Sequence, residues 1–126
     1  MTTLKRLCAR AFGAAATAAT LFSVSSAVLA ETTVTGQVDL MRTHDASSIP
    51  GWPAPMFWFT LKGITAVENC GKFSNGQVLF VGRDLQMMAF VMSALGKGLT
   101  LSVNIDAPET ANGFCVARHV TVSKPI

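Results

Sequence analysis

One helix-compatible stretch interrupts a chain otherwise written for strands, and it governs which folds are open. From Leu85 to Leu95 there is no Pro, no Gly and a single β-branched residue, Val91. Leu85, Met88, Ala89, Met92 and Leu95 recur at helical spacing. Asp84 stands where a carboxylate can accept from the free amides of a first turn, and Gly96 and Gly98 offer a left-handed stop. Only Gln86 and Ser93 are polar inside the stretch. A helix so apolar is expected to plug a core or be covered by a partner, rather than lie half in water.

Strand signals flank it. Val34, Val38 and Leu40 alternate with Thr35, Gln37 and Asp39, which predicts a half-buried strand running to about His44. Asp45 to Pro55 reads as a loop, because Pro50, Pro53 and Pro55 remove backbone donors and fix φ. Met56 to Leu61 is a second strand, ended by Gly63. Gly71 to Gly76 is a turn with Asn75-Gly76 as its hairpin signal, leading into a third strand from Gln77 to Val81. After the helix, Leu99, Leu101, Val103 and Ile105 alternate cleanly with Thr100, Ser102 and Asn104. Asp106 to Gly113 reads as a polar loop, and Phe114 to Ser123 as the closing strand. Phe114, Val116, Val120 and Val122 are expected on one face of that strand, interrupted by Arg118 at an exposed part or a bulge.

Five strands with one helix between the third and fourth form the sequential signature of an oligonucleotide/oligosaccharide-binding (OB) barrel. Closure also suits the absence of charged edge strands. The alternative is an open α+β sheet with the helix on one face. No repeat or low-complexity tract divides residues 31–126, so they are expected to form a single domain.

Residues 1–30 have the three parts of a secretory signal. Lys5, Arg6 and Arg10 are positive, Ala11 to Val24 is apolar, and Val28-Leu29-Ala30 has small side chains where a signal peptidase reads. Cleavage after Ala30 is expected, leaving Glu31 first and the protein periplasmic or secreted. An uncleaved anchor is the alternative, although Thr17, Thr20, Ser23, Ser25 and Ser26 dilute the apolar run. No Cys follows that run and twin arginines are absent, which argues for the general export route. The formal charge of +3 belongs wholly to this leader. Beyond it, Arg42, Lys62, Lys72, Arg83, Lys97, Arg118 and Lys124 are matched by as many acidic residues. A nucleic-acid groove needs an excess of bases, so that function is not expected despite the OB shape.

Cys8 lies in the leader, leaving Cys70 and Cys115. An exported compartment and an even count predict one disulfide. It would close a loop of about 45 residues, worth roughly 4 kcal/mol in the chain-entropy model. The alternatives are two buried free thiols or a metal site, for which Cys70, Cys115, His44 and His119 supply no recognisable ligand spacing. No cofactor is expected.

Several stretches also resemble a known group. They are Asn69-Cys70-Gly71, Val78 to Val81, Met87 to Val103 with its Gly96-Lys97-Gly98 turn, and Cys115 to Val122. The pattern is a Cys before the third strand, an Ala/Leu/Met-rich helix ending in a Gly-Lys turn, a Thr/Val-rich strand, and a second Cys ahead of the closing strand. It resembles small exported bacterial OB-fold proteins similar to the receptor-binding B subunits of five-subunit toxins, subtilase cytotoxin among them. The resemblance covers most of residues 34–123. It implies glycan binding and a pentamer, with glycan contacts on the sheet and nearby loops. The Ser47–Pro55 loop departs from the pattern in its length and proline content.

Four residues are expected to bind ligand: Trp52, Trp58, Ser47 and Ser48. Trp52, between Gly51 and Pro53, offers either a flat face to a sugar or protein partner, or a lid over a barrel end. If Phe57, Phe59 and Leu61 point inward, then Met56, Trp58, Thr60 and Lys62 form an exposed outward patch; the opposite phase is the alternative. His44 and Asp45 beside Ser47 and Ser48 have the residue types of a hydrolase triad but no nucleophile-elbow motif, so no enzyme is expected. His119 beside Arg118 reads as a strand residue at a wet edge. The expected function is an exported, non-enzymatic binding module for a carbohydrate or a protein surface. The alternative is an envelope or structural protein that uses its apolar faces to form a homo-oligomer.

Overall fold

The computed structural model describes residues 31–45, 51–52 and 55–125. The proposed leader and both Ser47 and Ser48 lie outside them. The elements are β1 (Glu31–Thr43), β2 (Phe57–Leu61), β3 (Leu79–Gly82), α1 (Leu85–Lys97), β4 (Thr100–Ala111) and β5 (Phe114–Ser123). The strands close in the order β1-β2-β3-β5-β4, with β4 returning to β1. Every neighbouring pair is antiparallel except β3 and β5, which run parallel at Phe80–Cys115 and Val81–Val116. This is the expected OB-like barrel, with the helix between the third and fourth strands.

β1 serves both sides of the closure. Its first half pairs with β4 from Glu31–Asp106 to Gln37–Thr100, and its second half pairs with β2 from Val38–Leu61 to Thr43–Phe57. The register slips between Val38 and Leu40, leaving Asp39 as an extra residue. Because side chains alternate with a period of two, one inserted residue exchanges the faces. Val34 and Val38 face the core before the slip and Met41 after it, so Leu40 does not continue their row as its spacing predicted.

β5 does the same at the position flagged in its sequence. His119 pairs with Asn104 while Ala117 pairs with Ile105, which makes Arg118 the bulged residue. The flip puts Cys115 and Ala117, then Val120 and Val122, against the core. The expected single face of Phe114, Val116, Val120 and Val122 is therefore corrected: Phe114 belongs to a cluster outside the barrel, and Val116 to neither row of core residues.

Asp106 to Gly113 is not a loop. β4 continues to Ala111, and Asn112 (φ 51) and Gly113 (φ 83) alone make the reversal into β5. Two successive positive φ values suit a two-residue hairpin turn, for which Asn-Gly is the favoured pair.

Inside the ring, Phe57, Phe59, Leu61, Phe80, Leu101 and Ile105 are wholly buried. Phe59 stacks on both Phe57 and Phe80, at 5.9 and 5.6 Å between centroids. Burying each such side chain contributes about 1.5–3 kcal/mol relative to exposure. Gly82, opposite Phe57, leaves room for its ring: a Cβ there would fall 2.2 Å from Phe57 Cζ. Cys70 and Cys115 form the predicted disulfide, Cα atoms 5.1 Å apart, tying the β2–β3 connection to β5.

α1 begins at Asp84, whose Oδ1 accepts from the Met87 amide at 2.9 Å. It runs to Lys97, two residues beyond its expected end, and stops at Gly98 with φ 60. Its inward residues are Val91 and Ala94, with Met87 and Met88 partly buried. The stripe expected from spacing is thus corrected: of Leu85, Met88, Ala89, Met92 and Leu95, only Met88 packs on the core. The helix rests chiefly on β1 and β5. Among the described residues no helix is long and apolar enough to cross a membrane.

Candidate functional site

A second cluster lies on the outside of the sheet. Trp52, Met56 and Val81 form it, with Trp58, Ala111 and Phe114 packed against them. Five elements contribute: the β1–β2 connection, β2, β3, the end of β4 and the start of β5. Alternation along β2 explains its membership. Phe57, Phe59 and Leu61 take the interior, so Met56 and Trp58 face out, the first of the two phases open in the sequence.

The outward side of β2 is not the bare patch that this phase implied. Met56 is 8% exposed, Thr60 0% and Trp52 6%. Trp52 folds back over Trp58 with ring centroids 5.4 Å apart, and reaches Phe114 at 6.0 Å. The lid placement is therefore the observed one for Trp52: its ring closes the cluster. Trp58 is half-buried. Phe73, from the β2–β3 connection, meets it edge-on at 5.7 Å. Arg42 lies across the strand from Trp58 and sets its guanidinium over both rings, 5.4 Å from Trp58 and 5.6 Å from Phe73. A cation held on aromatic faces this way is stabilised by their quadrupoles, by about 0.5–1 kcal/mol when exposed.

His44 ends this row. Its Nε2 lies 2.9 Å from the Trp52 carbonyl, and its ring meets both indoles edge-on. A carbonyl only accepts, so Nε2 carries the hydrogen and the neutral ring's Nδ1 is a bare acceptor. That Nδ1 is buried without a hydrogen-bond partner, and so is the Trp58 indole N–H. A leftover donor and a leftover acceptor thus share one aromatic cluster, each costing about 1–3 kcal/mol while unmet.

The disulfide and Gly71 hold the cluster's edge. The Gly71 amide donates to the Gly113 carbonyl at 2.9 Å, and Phe114 lies so close over Gly71 that a Cβ there would come within 2.8 Å of the ring. Arg42, Phe73 and Phe114 were not singled out in the sequence. The Arg42–Trp58 pairing depends on register, and Phe73 and Phe114 reach the site through the Cys70–Cys115 link and the hairpin turn.

A second candidate lies at the start of α1. Glu109 joins Arg83 and Arg118, each at 2.8 Å, and Arg118 also approaches Asp106 at 3.4 Å. The charges answer one another, and such surface pairs contribute little stability. His119 lines the same shallow hollow, far from the row holding His44 in sequence, and both cysteines are committed to their disulfide. No protein-family model, curated protein or solved structure matches this chain.

Proposed function

We propose that this chain is an exported, non-catalytic binding module that takes a carbohydrate on the Trp58 face. What carries the reading is the Trp58 ring on the outer side of β2, half-buried and framed by Arg42 and Phe73. A sugar ring supplies hydroxyls together with an apolar face suited to stacking on an indole, in keeping with sites that combine aromatic walls and a few placed polar groups. The site also falls on the strand-2/strand-3 side and the loops by which OB barrels commonly hold oligosaccharides. Trp52 closes the cluster against Trp58, and Arg42 frames it.

Glycan-array binding that is retained in Lys62→Ala and lost in Trp58→Ala is the expected result. An array on which the native protein is silent, while a Trp58-dependent protein partner is captured, would move the reading to a protein surface. Silence in both would end it. Export is part of the proposal: mass spectrometry of the mature protein is expected to find Glu31 at its N-terminus, and an intact Met1 would refute cleavage.

A further inference from the structure

The chain has two Asn-Gly pairs, both in turns, and the fold treats them differently. Asn75-Gly76 is held. Asn75 Oδ1 accepts from the Gln77 amide and its Nδ2 donates to Gln77 Oε1, each at 3.0 Å. The Gly76 amide donates to the Phe73 carbonyl at 2.9 Å. Asn112-Gly113, the reversal between β4 and β5, is exposed. Among the described residues neither the Asn112 side chain nor the Gly113 amide has a hydrogen-bond partner. No atom lies within 4 Å of the position that a Cβ on Gly113 would take. The other two asparagines, Asn69 and Asn104, precede Cys70 and Ile105, whose side chains crowd the amide nitrogen.

We propose that Asn112 is a site of spontaneous deamidation, and that its isoaspartyl product loosens the aromatic cluster at Phe114. The Gly113 nitrogen attacks Asn112 Cγ. A Cγ–N bond forms as the Cγ–Nδ2 bond breaks, the Gly113 amide proton departs with Nδ2 as ammonia, and a cyclic imide remains. Glycine presents no Cβ against the closing ring. Water then opens the imide at either carbonyl. Breaking the new Cγ–N bond gives an aspartyl residue, whereas breaking the original peptide bond leaves the chain running through the side chain as isoaspartate. Asp-Gly suits the same two-residue turn, so the aspartyl form keeps the hairpin. Isoaspartate adds a methylene to the main chain between Ala111 and Phe114, which pair across the turn. A turn matched to two residues then no longer closes. Phe114 is the residue displaced, and its ring lies against Gly71 and 6.0 Å from Trp52.

The test is incubation of the purified chain at mildly alkaline pH, where the peptide nitrogen gives up its proton more readily, followed by peptide mass spectrometry. Acid is expected at Asn112 about tenfold faster than at Asn75, the factor set by the one or two hydrogen bonds that Asn75-Gly76 must break first. Gln77→Ala should narrow that gap. Asn112→Gly, which keeps a favoured turn pair, should abolish the fast conversion and melt like the native chain. A methyltransferase specific for isoaspartate should label the aged protein, and the labelled fraction should melt roughly 5 °C lower, as the loss of one hydrogen bond does. Conversion at Asn75 ahead of Asn112 would overturn the assignment. So would an Asn112 amide that survives conditions converting an unfolded Ala-Asn-Gly-Phe peptide completely. An isoaspartyl form that melts like the native chain would refute the effect on the cluster.

Discussion

The outward side of β2 and the outward side of α1 are both apolar, and the fold treats them differently. β2 lies where three connections converge: the segment carrying Trp52, the disulfide-tethered stretch carrying Phe73, and the hairpin start carrying Phe114. Those rings cover Met56 and leave Trp58 half-buried. α1 packs Val91 and Ala94 inward, and its outer face keeps Leu85, Phe90 and Met92 in solvent. Apolar surface outside a barrel therefore stays available to partners in two forms. One is shaped by tethered loops into a compact aromatic cluster around Trp58. The other is a bare helical ridge left in solvent.

The contrast breaks first at the disulfide. If the tether shapes the β2 side, Cys115→Ser should cost about 4 kcal/mol on the chain-entropy scale, a fall in melting temperature of roughly 20 °C at about 4–8 °C per kcal/mol. An unchanged melting curve in oxidising buffer would show that the loops hold without it. Next, Trp52→Ala should destabilise by about 3 kcal/mol, the usual cost of emptying a buried aromatic site; chemical denaturation measures it, and a loss below about 0.5 kcal/mol, as at an ordinary surface site, would mean that Trp52 is not the lid. Trp58→Ala should cost about 2 kcal/mol in stability, because the ring is half-buried, yet remove ligand binding. The smallest effect is expected on α1. Met92→Lys should leave unfolding within about 0.5 kcal/mol of the native value, as a surface change does, and any larger loss would show that the outer face is covered within a single chain.

Much of the barrel could be read directly. The Leu99–Ile105 alternation, the Asp84 cap and the Gly98 stop follow from local rules that hold wherever the segment lies, the Cys70–Cys115 bridge follows from cysteine parity, and the bulge is the one of two readings for Arg118 that the pairing selects. The errors have one physical source. A bulge at Asp39 or Arg118 reverses which residues face inward, and its effect on Leu40 or Val116 depends on the partner strand's register. The helix shows the same limit: with apolar residues nearly all round, its spacing could not say whether Val91 and Ala94 or Leu85 and Met92 would meet the core. The candidate site was half legible. Trp52 and Trp58 stood out as aromatics, but Arg42, Phe73 and the unmet atoms of His44 and Trp58 become a site only once strands are paired.

Sequence alone determined the inventory: five strands, one helix in fixed order, one disulfide and balanced charge over residues 31–126, because periodicity and caps are properties of neighbours along the chain and cysteine parity is a property of composition. Tertiary structure decided which apolar side of β2 and of α1 is covered. Coverage comes from segments distant in sequence, brought together by ring closure and by the Cys70–Cys115 tether.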